Sequence, residues 1–83
     1  MKVSVLFFAQ LADLAGTRLT SVALTEGTLS ELMERIQTVF SADLADALRA
    51  ENVKVARNQA LWDGADALSD GDEVAFLPPV TGG

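Results

Sequence analysis

At 83 residues the chain is long enough for one domain with a modest core, and too short for a deep, walled catalytic pocket beside it. It has no cysteine and no histidine, which excludes disulfides, thiolate metal sites and iron–sulfur clusters, and removes the usual general base and the histidine triads. A formal net charge of −6, from 12 acidic and 6 basic residues, repels phosphate backbones and anionic lipid, so neither nucleic acid nor membrane is an expected partner.

Lys2 to Phe8 is rich in β-branched and aromatic residues on both alternating faces, which predicts a strand in the middle of a sheet. Leu11 and Leu14 then mark a short helical turn that Gly16 ends in the left-handed region. Arg18 to Leu24 reads as a half-buried strand paired with the first. Thr28 and Glu31 form a capping box ahead of the main helix, whose apolar positions are Leu29, Leu32, Met33, Ile36, Val39 and Phe40. Glu31 and Arg35, four apart, are expected to pair on its exposed side.

Ser41 to Ala50 predicts a shorter helix with Leu44 and Leu48 inward and Asp43 and Asp46 in water. Val53 to Arg57 and Ala60 to Trp62 predict two strands around an Asn58-Gln59 turn, with Asp63-Gly64 closing the second. Trp62 is expected at the core or its rim, its N–H in need of an acceptor. Asp70-Gly71-Asp72 turns the chain into a last strand, Glu73 to Leu77, which Pro78 and Pro79 stop. The order predicts an α+β domain, one mixed sheet with a main helix packed across it. No stretch approaches the roughly 20 apolar residues that span a bilayer, and the start lacks a signal-peptide run, so the expected location is the cytoplasm.

Two acidic groupings invite a chemical reading. Asp70-Gly71-Asp72-Glu73 lacks the spaced ligands of a calcium loop and reads as a plain turn, so no metal is expected. Asp63 and Asp66 have no neighbour that would tune a catalytic carboxylate. The informative segment is the end. Pro78-Pro79-Val80-Thr81-Gly82-Gly83 offers little to bury, has a stiff proline root, and finishes in two residues without a Cβ, which suits a flexible tail entering a narrow channel with its carboxylate unobstructed.

The opening Val5-Leu6-Phe7-Phe8-Ala9-Gln10 and the closing run from Asp70 to Gly83 strongly resemble the MoaD-like small subunits of molybdopterin synthase; the middle resembles them in pattern only. The resemblance implies a ubiquitin-like β-grasp domain over residues 1–77 and an extended tail over 78–83. It also implies a sulfur carrier in molybdenum cofactor biosynthesis with no catalysis of its own. An ATP-using activating enzyme would adenylate the Gly83 carboxylate, next to Gly82. A sulfur donor such as a cysteine desulfurase or rhodanese would convert it to a thiocarboxylate, and the large subunit of a heterotetrameric synthase would pass that sulfur to a pterin precursor. ATP belongs to the activating enzyme; the chain itself binds no cofactor.

By the same resemblance Phe8, Leu61 and Leu77, with Pro78, Pro79, Val80 and Thr81, contact partners, although each of the three apolar residues also reads as ordinary core. Arg57 departs from the pattern, standing where a small apolar residue is expected before Asn58. Competing readings are a sulfur carrier for thiamine synthesis or RNA thiolation, a modifier joined to lysines, and an interaction domain with an idle tail.

Overall fold

The computed structural model describes residues 1–79. Strands β1 (Lys2–Phe7), β2 (Leu19–Ala23), β3 (Lys54–Arg57), β4 (Ala60–Leu61) and β5 (Glu73–Leu77) form a five-stranded sheet in the order β2-β1-β5-β3-β4. β1 runs antiparallel to β2 and parallel to β5, and β5 runs antiparallel to β3, which makes the sheet mixed as the element order predicts. Helices α1 (Gln10–Ala15), α2 (Leu29–Val39) and α3 (Ala42–Leu48) fill the long connections.

All three helices pack on one face. Val3, Val5 and Phe7 of β1, Val22 of β2, and Val74 and Phe76 of β5 share a core with Leu11, Leu32, Met33, Ile36, Leu44 and Leu48. Phe7 stacks on Phe76 with centroids 6.2 Å apart and meets Phe40 edge-on at 5.8 Å. β1 is interior as predicted, yet only its Val3-Val5-Phe7 side is fully buried; Ser4 and Leu6 are half-buried because no helix covers them.

Leu19 and Val39, apolar residues within predicted elements, stay exposed. Leu19 is 59% exposed, since the antiparallel register sets it opposite Leu6 on the uncovered side while Val22 pairs with Val3 over the core. Val39 is 66% exposed. At about 100° per residue it falls at the margin of the stripe centred on Leu32, Met33 and Ile36, and Phe40, one residue on, closes over the core instead.

The N-cap half of the capping box forms, with Thr28 Oγ1 accepting the Glu31 N–H at 3.0 Å, while the return bond to the Thr28 N–H is absent among the described residues. The Glu31 carboxylate, however, reaches past the cap. It accepts from Thr25 N (2.7 Å) and Oγ1 (2.8 Å), and from Glu26 N and Gly27 N (both 2.9 Å). These donors, the Thr25 amide foremost, lower its pKa from 4.5 to about 2. The expected Arg35 pair is absent among the described residues, because backbone amides already satisfy both carboxylate oxygens. The loop so held packs closely: Gly27 has φ +79, and a Cβ there would lie 2.7 Å from the Leu68 carbonyl oxygen.

Candidate functional site

The parallel pairing of β1 with β5 sends the C-terminal ends of both strands to one edge of the sheet, so Phe8 and Pro78 leave side by side. Their antiparallel neighbours begin at that edge. Lys54 of β3 sits opposite Leu77, and the Arg18 carbonyl, just before β2, accepts the Phe7 N–H at 2.9 Å. The root of the tail therefore stands among Arg18, Phe8, Leu77 and Lys54.

Register also decides what the uncovered face presents. Leu19, Leu6, Ala75, Ala56 and Leu61 stand opposite one another from β2 across to β4, one apolar row over the whole sheet. Leu77 flanks this row on the tail side. On the other side the same face carries Lys2, Ser4, Ser21, Ala23 and Glu73, with one methyl among polar groups. The face is thus divided, and its apolar half lies toward the end of the sheet at which Pro78 and Pro79 follow β5.

The structure resolves part of the choice between core and surface. Phe8 is 43% and Leu61 79% exposed, so neither is core, while Leu77, Pro78 and Pro79 are half-buried. Ala56 and Ala75 are buried between larger neighbours, which leaves a shallow trough bounded by leucines. Such a patch loses ordered water when another protein covers it. Val80, Thr81, Gly82 and Gly83 lie outside the described residues.

Arg57 has a structural account that sequence reasoning missed. Its Nε and one terminal nitrogen both donate to Asp72 Oδ2, at 2.9 and 2.7 Å, and its guanidinium lies 6.0 Å from the Trp62 ring centroid. Asp72 also accepts from Asn58 Nδ2 (3.0 Å) and from Ser69 N (2.8 Å), and Asn58 Oδ1 accepts from Glu73 N (2.9 Å). The Asn58 amide, followed by Ser69 and Arg57, holds the Asp72 carboxyl below its usual range. Asp72 is therefore a clasp between the β3–β4 hairpin and the turn before β5.

Asn58 and Gln59 both have positive φ, at 50° and 72°, the backbone of a tight two-residue hairpin, and this fixes how Leu61 is presented. The only signal in the sequence was Arg57 itself, a charge where a small apolar residue was expected. Trp62 sits at the rim of the core with its Nε1 buried and without an acceptor among the described residues. Asp63 Oδ1 accepts the Ala65 N–H at 2.9 Å, a turn contact, and Asp66 is exposed.

Comparison with known proteins places the chain. The ThiS family model matches residues 5–83. The molybdopterin synthase sulfur carrier subunit of Escherichia coli is 44% identical over 98% of this chain and 99% of its own length. The subunit of that name from Mycobacterium tuberculosis is 34% identical over 100% and 99%. Among solved structures, SAMP1 from Haloferax volcanii is similar with a TM-score of 0.80 at 26% identity, covering 100% of both chains. A chain from the complex of subunits 1 and 2 of the molybdopterin-converting factor of Helicobacter pylori has a TM-score of 0.71 at 28% identity, again over 100% of both. The sheet order and one-sided helices are those of the ubiquitin-like β-grasp fold shared with these neighbours. Matched along nearly its whole length, the chain belongs to the ThiS family.

Proposed function

We propose that this chain is the sulfur carrier subunit of a molybdopterin synthase, loaded with sulfur at Gly83 and docked on its partners through the apolar half of the open sheet face. The observation that carries this reading is the 44% identity, over almost the full length of both chains, with the E. coli subunit of that name. The placement of Pro78 beside exposed Phe8, with exposed Leu61 farther along the open face, supports it, because a docked face holds the base of the C-terminal segment against the partner while the rest enters it.

In this reading an activating enzyme joins the Gly83 carboxylate to AMP at the expense of ATP, releasing pyrophosphate and turning a poor acyl electrophile into a good one. The terminal sulfur of a persulfide on a cysteine desulfurase or rhodanese then displaces AMP to give an acyl disulfide, and a second thiol on a partner protein cleaves its S–S bond, forming a disulfide and releasing the thiocarboxylate. Docked on the large subunit, the thiocarboxylate sulfur attacks the pterin precursor at high effective concentration and away from water. The chain supplies the tail and the docking face, and its partners supply the catalysis. No helix among the described residues is long and apolar enough to cross a membrane, and the cytoplasm is the proposed place of work.

Intact-mass measurement after incubation with ATP, the activating enzyme and a sulfur source tests the loading step. The full chain should gain the mass difference of one sulfur for one oxygen, and a chain lacking Gly83 should not. A full chain that stays unmodified rejects the assignment. Likeness to SAMP1, a small archaeal modifier protein, supports a second reading as a protein modifier, which predicts lysine-linked adducts in lysates rather than a free thiocarboxylate.

A further inference from the structure

Two surface hollows of opposite charge flank the tail root. On the β2 side, one of about 290 Å3 is lined by Leu6, Phe7, Phe8, Ala9 and Arg18, an apolar basin with a single cation at its lip. On the β4 side, one of about 520 Å3 has Leu61 and Trp62 in its wall and Glu51, Asp63, Asp66 and Lys54 as its charged members, three carboxylates against one ammonium. β5 leaves the sheet between them, next to β1, which Phe8 follows, and separated from β4 by β3. Asp13 is the other charge near Arg18, sharing with it a neighbouring hollow on the helix side, and no ion pair joins the two among the described residues.

Apolar attraction is non-directional, so the trough of leucines and alanines by itself lets a partner slide or rotate. Charges of opposite sign on either flank remove that freedom, since a wrong orientation brings like charges together. We propose that the surface receiving the tail sets a carboxylate side chain over Arg18 and a lysine or arginine into the hollow of Glu51, Asp63 and Asp66. This polarity, more than the apolar patch, orients the tail for entry. The basin beside Phe8 accommodates the apolar stem of the incoming acidic side chain while its carboxylate meets the guanidinium. The inference rests on the sulfur-carrier reading, and the partner it concerns is the large synthase subunit.

Calorimetric titration of the purified large subunit with the full chain tests it at low salt and at about 0.5 M salt, where exposed charges are screened. Arg18→Glu should weaken binding about tenfold at low salt, and Glu51→Lys with Asp66→Lys should do the same from the other flank. Asp63 is left in place because it accepts the Ala65 N–H. Arg35→Glu, exposed on α2 at the helical side, should bind within about twofold of the wild type. The differences should shrink at high salt, with thermal midpoints unchanged throughout. Either flank variant binding as tightly as the wild type at low salt overturns the proposal. A wild-type chain that does not bind the large subunit at all overturns the sulfur-carrier reading and this inference with it, an outcome distinct from equal binding by wild type and variants.

Discussion

β1 and β5 supply both faces of the sheet from alternate residues, and the two faces have different uses. On the helix side Val3, Val5, Phe7, Val74 and Phe76 are 0–1% exposed. On the other side Leu6 and Leu77, from the same strands and of the same chemical kind, are only half-buried, and Leu61 and Leu19 stand in water. Both sides carry leucines or other large apolar residues toward the C-terminal ends of these strands; cover is what differs. What a small domain buries becomes stability, and what it leaves uncovered beside a functional segment is available to a partner.

The largest effect should come from the covered side. Phe76→Ala removes a ring stacked on Phe7 and should cost about 3–5 kcal/mol, lowering the thermal midpoint by roughly 15 °C or more. A small shift would break the distinction between the faces. Next, Leu77→Lys on the open face should abolish pull-down of the large subunit while moving the midpoint by no more than about 5 °C. A collapse in stability would assign Leu77 to the core.

A third prediction separates stability from docking by pH. The Glu31 carboxyl is lowered from 4.5 to about 2 in the folded chain, so its stabilising contribution is fully present above about 4.5 and is lost as the pH falls toward 2. Glu31→Gln should therefore lower the midpoint at neutral pH, and the gap to wild type should narrow steadily between pH 4.5 and 2. A gap that stays constant across that window would mean that hydrogen-bond geometry, not charge, accounts for the contribution. Large-subunit binding at neutral pH should be unaffected, because the Thr25–Gly27 loop packs at Leu68, away from the apolar half of the open face. The smallest effect is expected for Thr28→Ala, which removes the cap of α2 and should cost about 1 kcal/mol in chemical denaturation without changing partner affinity.

Much of the fold was legible because its signals are local. The N-cap at Thr28, the left-handed stop at Gly16, the Asn58-Gln59 turn and the proline stop after Leu77 each act within a few residues, and each stands where the sequence places it. The misreadings involve partners that element periodicity does not rank. Helical spacing pairs Glu31 with Arg35, but the amides of residues 25–27, four to six positions back, compete for it and win by number. Arg57 departs from the apolar pattern, and its partner, Asp72, lies 15 residues away and takes its guanidinium.

The sequence by itself determined the element order, the lack of thiol or imidazole chemistry, and the Pro78-Pro79 stop after the last strand. These follow from residue identity and short-range periodicity. Only the tertiary structure decided which apolar residues meet water, because a strand's alternation defines two faces without saying which one a helix will cover. It also brought the ends of β1 and β5 to one edge, a consequence of parallel pairing between segments 69 residues apart in register, which no local pattern encodes.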